Sequence, residues 1–540
     1  MKSGEIRQKF LDFFEKEGHK TVTSFSLIPT DDSVLFTTAG MQQFKPYYLN
    51  EKSPYGNKVA SVQKCVRTSD IEEVGDESHL TFFEMLGNFS FKGAYFKKEA
   101  IKYGYDFIKK EMGLEIDYVT VFAGTNEIPA DRESEKIWKE LDDSIEIRKA
   151  GMEDNFWGPT GEEGPCGPTT EIYVNDMEVW NIVFNEYFKT KEGKYEKLDE
   201  PGVDTGMGLE RLAMVMQKKN NLFETDLFES IMASVNSNRI IADHLRSAVF
   251  MISDGITPTN IGRGYILRRL VRRTVRHGKD LPQDFIEKTT EIVVDNYKNF
   301  YPELKANKDK ILSELKKEEN AFKQTLEKGL REFEKGIDPF VLFTTYGFPI
   351  EITQELARER SREIDLEKFN EQMKKHQELS RTASAGMFKS GLAGESEQEI
   401  KYHTATHLLL AALRQILGDH VMQKGSNITS DRLRLDFSHP EKLTDEQKQK
   451  IEKIVNEKIK EDLPVVCEEM TLEEAKGMGA LGAFQDKYGE RVKIYSIGDF
   501  SKEFCGGPHV KRTGELGGFQ IKKEEASSAG VRRIKAVLKQ

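Results

Sequence analysis

The chain has 540 residues, too many for a single hydrophobic core, and its length predicts several domains. Hydrophobic residues make up 38% and charged residues 32%, a balance typical of globular proteins, and no apolar run is long enough to span a bilayer. Charges interrupt the apolar stretches at the N-terminus, which excludes a signal-peptide core there. The four cysteines show no CxxC spacing, which argues against a disulfide framework. We therefore expect a cytoplasmic protein without a membrane partner.

The first part of the chain, residues 1–235, predicts a mixed α/β domain. An opening helix over residues 3–17 ends at Gly18. Its apolar side consists of Ile6, Phe10, Phe13 and Phe14. Strand-like apolar runs follow, among them TFFEML and VWNIVF, and a loop rich in Gly and Pro over residues 158–168 interrupts them.

A helical domain is predicted over residues 236–380, and its first part, residues 236–300, is basic. Its densest stretch is RGYILRRLVRRTVRHGK, although the whole chain has a net charge of −11. Helical spacing places five arginines close to one face, namely Arg268, Arg269, Arg272, Arg273 and Arg276. Two interpretations stay open at this point. The stripe either neutralises phosphates or is a solvated face paired with acids elsewhere in the chain.

Three further segments complete the organisation. Residues 303–336 have apolar positions at helical spacing and predict one long amphipathic helix. The composition shifts to Ser, Gly, Ala and Glu over residues 381–399, which predicts a linker. The last domain, residues 400–540, begins with the helix HTATHLLLAALRQIL, which stops at Gly418.

Two pairs of candidate metal ligands occur in this last domain. His403 and His407 are one helical turn apart, so both imidazoles project from the same face. Cys505 and His509 are also four apart, in FCGGPH. An isolated HxxxH is usually two ordinary helix histidines, but two such pairs among ten His and four Cys favour one tetrahedral zinc site. Cys467 has no such partner, and we predict that it lies in the core.

No nucleotide loop of the type GxxxxGK[ST] or GxGxxG is present, so ATP use has to be argued from other segments. In a strand over residues 80–86, Thr81, Phe83 and Met85 share one face, and an aromatic ring there can stack on a base. In GVDTGMGLERLA, Asp204 supplies a lone anion and Arg211 follows where a helix begins. Taken by itself, each segment is more often explained by packing or a surface position than by a functional site, since arginines after strands are mostly at the surface and Phe-rich strands mostly in the core.

Taken in order, these segments resemble class II aminoacyl-tRNA synthetases, and specifically the alanine–tRNA ligase family. The stretches that carry the resemblance are SLIPTDDSVLFTTAGMQQFK, CVRTSD, TFFEMLGNFSF, DNFW, GPCGPTTEI, WNIVF, VDTGMGLERLA, RGYILRRLVRRTVRHG, TTYGFPIEIT, HTATHLLLAALRQILG, QKGS, CGGPH and AGVRRIKAV. The resemblance implies an antiparallel-sheet catalytic domain, a helical tRNA-binding domain and a zinc-containing α+β editing domain. The implied activity is ATP-dependent attachment of L-alanine to tRNA(Ala) through alanyl-adenylate.

The resemblance also assigns roles in the first domain. Arg67 would hold the α-phosphate and Arg211 the γ-phosphate of ATP, while Mg²⁺ would bridge the phosphates. Phe83 would stack on adenine, Met85 would lie near the adenylate, and Asp204 would pair with the alanine ammonium. The remaining residues that would shape a methyl-sized pocket are Trp157, Asn181, Val183 and Gly206.

A second, hydrolytic site has a physical reason to exist in such an enzyme. A methyl-sized pocket admits glycine and rejects serine poorly, because one methylene or hydroxyl changes binding by only ~1–3 kcal/mol. The resemblance implies that His403, His407, Cys505 and His509 hold one Zn²⁺ per chain in the domain that hydrolyses Ser-tRNA(Ala) and Gly-tRNA(Ala). Gln423, in QKGS, matches a polar position of that pocket.

The basic helices resemble the family's acceptor-stem-binding region. Asn260 matches a residue that reads the G·U pair of alanine tRNA, and Glu351 stands where the family usually has Asp. Arg268 and Arg272 are expected to contact tRNA phosphates. Pro508 also departs from the family pattern, replacing the usual Thr of the zinc motif.

Two elements of the family are missing from this sequence. They are the small β-barrel before HxxxH and the C-terminal coiled-coil region, so we expect a reduced form and a monomer. Two other functions compete with aminoacylation, those of a stand-alone deacylase of mischarged tRNA and of a non-catalytic tRNA-binding relative. The presence of Arg67, Asp204 and Arg211 argues against both.

Overall fold

The computed structural model describes residues 1–30, 34–49, 51–159, 163–385, 396–471, 474, 491–528 and 530–539. The chain divides into two compact units, Met1–Glu363 and Ile364–Gln540. The boundaries predicted near residues 235, 380 and 400 stay predictions. Most of the predicted linker, residues 386–395, lies outside the described residues.

A nine-stranded sheet forms the centre of the first unit. Its strands are β1 Lys20–Val22, β2 Lys58–Val66, β3 Phe82–Ser90, β4 Tyr118–Phe122, β5 Glu146–Ala150, β6 Phe156–Trp157, β7 Gly164–Val174, β8 Met177–Lys189 and β9 Tyr195–Gly208. The order is β1-β2-β3-β9-β8-β7-β4-β5, and β6 pairs with β7. Only the outer pairs β1–β2 and β4–β5 are parallel. The predicted mixed fold with an antiparallel sheet is therefore confirmed.

The β7–β8 hairpin shows how sequence sets the sheet locally. Two residues, Asn175 and Asp176, connect Val174 to Met177, and both have positive φ angles of 55° and 57°. Asn and Asp tolerate this left-handed conformation, and two such residues make the turn whose twist matches that of the flanking strands. The tight turn fixes the register of the two strands that carry much of the cavity described below.

Helices surround the sheet and continue to the end of the first unit. They are α1 Ser3–Lys16, α2 Lys97–Tyr105, α3 Arg132–Leu141, α4 Met152–Asn155, α5 Leu209–Met216, α6 Glu229–Ser234, α7 Arg239–Ser253, α8 Gly262–His277, α9 Phe285–Tyr297, α10 Pro302–Ala306, α11 Lys308–Glu334, α12 Pro339–Tyr346 and α13 Ile350–Glu359. The opening helix agrees with its prediction to within one residue.

The single helix predicted over residues 303–336 was wrong in one respect. The structure divides it into α10 and α11, with Asn307 between them at φ −96° and ψ 6°. The Asn307 side chain donates hydrogen bonds to the Ser253 carbonyl at 3.0 Å and to its hydroxyl at 3.3 Å. These tertiary bonds stabilise a local break that helical periodicity does not reveal.

A buried charge network fastens the sheet to the helices. Arg7 of α1 binds Glu84 of β3, with 2.8 Å between Nε and Oε1, and the Tyr301 hydroxyl donates to the same carboxylate at 2.8 Å. Arg246 of α7 donates to Glu210 of α5 at 3.0 Å, and Glu210 accepts the backbone N–H of Glu84 at 3.1 Å. Removing one partner of such a buried pair typically costs about 3–5 kcal/mol, so this network fixes where β3 and α5 lie.

The second unit combines helices with two antiparallel sheets. Its helices are α14 Leu366–Ala385, α15 Glu397–Leu417 and α16 Asp445–Lys460. Its strands are β10 Gln423–Ile428, β11 Leu433–Ser438, β12 Val465–Thr471, β13 Arg491–Ile497, β14 Ser501–Phe504, β15 Gly518–Ser528 and β16 Val531–Lys539. The orders are β10-β11-β16-β15 and β12-β13-β14. No helix in the described part of the chain is long and apolar enough to cross a membrane.

Helix α15 carries the HxxxH pair and has well-defined ends. It begins at Glu397, earlier than the HTATH run, because Ser396 and Glu399 form a capping box. The Glu399 N–H donates to the Ser396 hydroxyl at 3.3 Å, and the Ser396 N–H donates to the Glu399 carboxylate at 3.1 Å. The helix stops as predicted at Gly418, whose φ of 108° is unfavourable for other residues.

Candidate active site and metal centre

A cavity of about 450 Å³ lies against the nine-stranded sheet of the first unit. Nine residues singled out from the sequence line it together, namely Arg67, Phe83, Met85, Trp157, Asn181, Val183, Asp204, Gly206 and Arg211. They come from positions up to 144 residues apart in the chain, so the sheet brings together what the sequence separates.

Strand register explains this convergence. Met85 lies opposite Gly208, Asn181 opposite Gly206, and Val183 opposite Asp204. Because side chains alternate between the two faces of a strand, Phe83 and Met85 face the cavity while Phe82, Glu84 and Leu86 are buried on the other face.

Gly206 keeps the cavity open at Met85. A Cβ atom at this position would lie 2.9 Å from the Met85 sulfur, closer than real contacts allow. The same sulfur accepts the Gly40 backbone N–H at 3.2 Å, which limits how far it can move away. A side chain at position 206 would therefore force Met85 to shift and would change the shape of the cavity.

Asp204 is an uncompensated acid within this cavity. Its side chain belongs to a residue that is only 6% exposed, and burial raises the pKa of Asp204 to about 7. Among the described residues, no Lys, Arg or His lies within ion-pair distance of it. A buried carboxylate is costly without a positive partner, so this site is suited to a cationic ligand group.

Two guanidinium groups line the same cavity. Arg67 directly follows β2, its backbone N–H donates to the Thr81 carbonyl at 3.0 Å, and its guanidinium lies 5.0 Å from the centre of the Phe83 ring. Arg211 lies in the first turn of α5 and binds the Glu178 carboxylate at 2.7 Å. Two arginines in one concave site provide the fork geometry that phosphate oxygens require.

Glu171 is a cavity residue that sequence reasoning missed. It is buried on β7 and accepts hydrogen bonds from the Tyr173 hydroxyl at 2.9 Å, the Thr120 hydroxyl at 3.2 Å and the Asn181 amide at 3.1 Å. Burial raises the pKa of Glu171 to about 7. It lies within GPCGPTTEI, but only the pairing of Glu171 with Asn181 across β7 and β8 reveals what it holds.

Two further polar atoms at the cavity are buried without a protein partner. They are the indole Nε1 of Trp157 and the amide Oδ1 of Asn181, counted within the part of the chain that the structure describes. Buried polar atoms normally have a hydrogen-bond partner, so a donor and an acceptor without one in the cavity that Asp204 also lines are suited to a small polar ligand.

The second unit contains the predicted His/Cys group. His403, His407, Cys505 and His509 place their ligand atoms within 4.8 Å of one another. The Cys505 sulfur lies 3.4 Å from Nε2 of both His403 and His509. Tetrahedral Zn–N and Zn–S bonds would set this separation at about 3.5 Å. The donor set therefore fits a four-coordinate metal ion.

Polar groups lie next to Nδ1 of each of the three histidines. Nδ1 of His403 lies 3.0 Å from the Pro508 carbonyl, and Nδ1 of His509 lies 3.1 Å from the Thr404 hydroxyl. Nδ1 of His407 lies 3.5 Å from a carboxylate oxygen of Glu503. The contacts of His403 and His509 orient these two rings so that Nε2 faces Cys505, whereas Nδ1 of His407 makes no hydrogen bond with a described residue. A carbonyl suffices at position 508, so the Pro508 departure leaves this contact intact.

The charge state of the group also suits a cation. Burial lowers the pKa of His403 to about 3 and that of His407 to about 4, so both rings are neutral ligands near pH 7. Burial raises the pKa of the Cys505 thiol to about 11 in the absence of a metal, and a bound cation reverses this shift by stabilising the thiolate. Cys467 was predicted to lie in the core, which was wrong, because β12 leaves it exposed.

The basic helix α8 differs from the predicted single stripe. Arg273 and Arg276 are buried, and all five arginines bind acids of the same unit. The pairs are Arg268 and Arg272 with Glu318, Arg269 with Glu72, Arg273 with Glu355, and Arg276 with Glu355 and Glu359. Every member of the stripe thus pairs with an acid in the absence of tRNA, although Arg273 and Arg276 are buried rather than solvated, and phosphate contact by Arg268 and Arg272 stays a prediction.

The other residues implied for tRNA contact lie around α8. Asn260 is exposed just before the helix and accepts a hydrogen bond from Arg268. Glu351, at the start of α13, accepts the Tyr265 hydroxyl at 2.7 Å. In the second unit, Gln423 begins β10 and donates to Ser426 at 3.3 Å. No hydrogen bond between described residues joins Gln423 to the His/Cys group.

The sequence was next compared with protein families and with known proteins. A family model described as tRNA synthetases class II (A) matches residues 5–426, and one described as Threonyl and Alanyl tRNA synthetase second additional domain matches residues 492–535. The chain is 50% identical to the Alanine–tRNA ligase of Treponema denticola, covering 99% of this chain and 98% of the relative. It is 44% identical to that of Treponema pallidum, over 100% and 98%.

A more distant relative, the Alanine–tRNA ligase of Petrotoga mobilis, is 36% identical, and the match covers 99% of this chain and 79% of the relative. These matches confirm the resemblance that the motifs predicted. The family model covers the unit that holds the cavity, and the second model covers part of the unit that holds the His/Cys group. The chain therefore belongs to the alanine–tRNA ligase family of class II tRNA synthetases.

Proposed function

We propose that this protein activates L-alanine with ATP and transfers it to tRNA(Ala). The observation that carries the proposal is the buried, uncompensated carboxylate of Asp204 in a cavity that also holds the guanidinium groups of Arg67 and Arg211. An amino acid brings an ammonium for the carboxylate, and ATP brings phosphates for the arginines. One cavity with both kinds of partner is suited to joining the two substrates.

The reaction follows from this arrangement of charges. The alanine carboxylate attacks the α-phosphorus of ATP, the bond to the β-phosphate oxygen breaks, and pyrophosphate leaves with alanyl-adenylate retained. A terminal ribose hydroxyl of tRNA then attacks the alanyl carbonyl, and AMP leaves. Arg67 would stabilise the charge that develops at the α-phosphate, and Arg211 would exchange Glu178 for the γ-phosphate. Mg²⁺ accompanying ATP neutralises part of the phosphate charge.

The residues that form the wall of the cavity are suited to a substrate with a small side chain. Val183 and Asn181 both lie on β8, where Val183 is directly opposite Asp204 of β9, and Trp157 lies on β6, which pairs with β7. With the ammonium at Asp204, the substrate side chain points towards these walls. We propose that Trp157, Asn181, Val183 and Gly206 limit the pocket to about a methyl group. Phe83 would stack on adenine once Arg67 turns from the ring to the phosphate.

Amino-acid-dependent exchange of pyrophosphate into ATP tests the activation step. Alanine should support exchange in the absence of tRNA, and serine and glycine should do so with kcat/KM about 10²-fold lower. Faster exchange with a different amino acid, or none with alanine, would contradict the proposal.

We further propose that the second unit hydrolyses Ser-tRNA(Ala) and Gly-tRNA(Ala). Its His/Cys group would hold one Zn²⁺ per chain, and four protein ligands leave the ion closed, so the metal would shape the site rather than activate water. Gln423 would contribute a polar contact to the same pocket. The support is the donor set of the group and the match of residues 492–535 to the second additional domain.

Deacylation of pre-formed Ser-tRNA(Ala) measures this second activity directly. The wild type should release serine, and His403→Ala should do so at least about 10-fold more slowly, because loss of one ligand opens the metal site. His439→Ala is the matched control, since His439 is paired with the exposed His420 at 2.9 Å in the same unit. Ser-tRNA(Ala) that persists with both the wild type and His403→Ala would mean that the unit has a structural role.

Recognition of the acceptor stem is proposed for Asn260 and Glu351. Replacing the G·U pair of tRNA(Ala) by G·C should reduce charging about 10–100-fold, because the donors and acceptors in the groove change. Asn260→Ala should charge both tRNAs similarly and poorly. Arg268 and Arg272 would exchange Glu318 for tRNA phosphates, so their removal should weaken binding of all tRNAs alike and flatten its salt dependence. Equal charging of the two tRNAs by the wild type would refute direct recognition.

A further inference from the structure

A chain of buried hydrogen bonds runs from helix α7 to the strand that leads into the cavity. Asp243 accepts the backbone N–H of Thr81 at 2.9 Å through Oδ1, and its Oδ2 lies 2.9 Å from Nδ1 of His244. Nε2 of His244 lies 2.8 Å from Nη1 of Arg273 on α8. Asp243, His244 and Arg273 are all buried. None of them lines the cavity, so the reaction itself does not explain them.

The donors and acceptors in this chain have only one consistent assignment. A guanidinium only donates, so Nε2 of His244 is the acceptor for Arg273. Nδ1 of the neutral ring then carries the proton and donates it to Asp243. Burial lowers the pKa of His244, which keeps the ring neutral. The position of Arg273 thus determines which way the imidazole faces, and the imidazole in turn fixes the Asp243 carboxylate.

Both ends of one loop depend on this chain. The loop comprises residues 67–81 and begins with Arg67. Nη1 of Arg273 donates a second N–H to the Ile71 carbonyl at 2.6 Å, near the start of the loop. Asp243 holds Thr81 at the other end, and the Thr81 carbonyl accepts the backbone N–H of Arg67 at 3.0 Å. The backbone that presents Arg67 is therefore anchored at two points from α7 and α8.

The other side of Arg273 faces helix α13. Its Nη2 binds Glu355, which also binds Arg276 and is one helical turn after Glu351. The hydrogen-bonded chain therefore connects Arg67 to the two helices that carry the residues proposed to contact the acceptor stem.

We propose that Asp243, His244 and Arg273 are positioning residues that hold Arg67 in place for attack at the α-phosphate and tie its loop to the acceptor-stem helices. The inference rests on the proposed aminoacylation and goes beyond it by assigning a role to three residues outside the cavity. Displacement of a catalytic group by about 1 Å can cost on the order of 10²-fold in rate, so anchoring of this loop affects the rate strongly.

Asp243→Asn is the most informative variant because it is isosteric. An amide at this position places a donor against either the Thr81 N–H or the His244 N–H, and a change of imidazole tautomer moves the conflict to Arg273. We expect kcat of alanine-dependent pyrophosphate exchange to fall about 10–100-fold. The KM for alanine should stay within about two-fold, because Asp204 is untouched. Arg273→Lys should lower kcat to a similar extent, because the single amine of lysine cannot replace all the hydrogen bonds of the guanidinium group.

Ser247→Ala is the control, because it removes a buried hydrogen bond of 2.8 Å to the backbone carbonyl of Asp243 and leaves the Asp243 carboxylate and its two contacts intact. Ser247→Ala should catalyse alanine-dependent pyrophosphate exchange at the wild-type rate. The decisive measurement introduces Asp243→Asn into the Arg67→Lys variant. If Asp243 acts through Arg67, the additional loss of kcat in this double variant should be less than about three-fold. Two outcomes would overturn the positioning role. One is a loss of kcat in the double variant equal to the product of the two single losses, and the other is an unchanged kcat in both Asp243→Asn and Arg273→Lys. No exchange by the wild type and by Ser247→Ala would instead overturn the proposed activity on which it rests.

Discussion

Asp204→Asn should reduce alanine-dependent pyrophosphate exchange by about 10²–10³-fold or more. The variant keeps the size of the side chain but removes the negative charge, and a buried ammonium left without its partner costs about 3–5 kcal/mol. The loss should appear in kcat/KM for alanine, while ATP binding by Arg67 and Arg211 persists. Asp199→Asn is the matched control, since Asp199 is exposed on the same strand. Exchange at the wild-type rate by Asp204→Asn would exclude the proposed ammonium site.

The same substitution should stabilise the unliganded protein, with a defined pH dependence. The pKa of Asp204 rises from the ordinary value of 3.8 to about 7 in the folded state, so the folded protein binds this proton more tightly than the unfolded chain. Ionised Asp204 therefore lowers the free energy of unfolding as pH rises from about 4 to 7, by up to about 4 kcal/mol above pH 7. Asp204→Asn removes this cost.

Thermal unfolding without substrates measures this effect. The melting temperature of Asp204→Asn should exceed that of the wild type at pH 8, and the difference should be clearly smaller at pH 5, where the folded wild type is protonated. A variant less stable than the wild type at pH 8 would show that the carboxylate has a stabilising partner. If Asp204→Asn is more stable but less active than the wild type, then the Asp204 carboxylate binds the substrate and lowers the stability of the folded protein.

Loss of the metal should have the second large effect, on the stability of the second unit. Cys505→Ala should bind well under one zinc per chain and lower the unfolding temperature of that unit by more than about 10 °C. A structural zinc site contributes its binding free energy to folding, and without the ion three neutral imidazoles lie close together with no cation to bind. Elemental analysis and two-transition calorimetry of the full chain measure both quantities.

Cys467→Ala is the matched control for this experiment, because Cys467 is exposed and lies outside the group of four ligands. It should retain one zinc and the wild-type transition. Pyrophosphate exchange should be unchanged in both variants, since the cavity belongs to the other compact unit. Undiminished zinc in Cys505→Ala would remove this cysteine from the ligand set.

The sequence by itself determined the local elements and the chemistry that repeats at short range. The opening helix, the stop of α15 at Gly418 and the four-residue spacing of both ligand pairs depend only on helical periodicity and glycine conformation. The family resemblance rested on motifs that lie within single segments. Such features are encoded by residues within one or two turns of each other, so no tertiary information is needed to recognise them.

Only the tertiary structure decided which distant groups meet. The acids that bind Arg272 and Arg276 lie 46 to 83 residues further along the chain, so the stripe on α8 could not be distinguished from a phosphate-binding face. The hydrogen bond between Glu171 and Asn181 depends on strand register. The interruption between α10 and α11 at Asn307 depends on a hydrogen bond to Ser253 of another helix. The anchoring of Thr81 by Asp243 joins residues 162 apart. These contacts follow from how strands pair and helices pack, which local propensity does not specify.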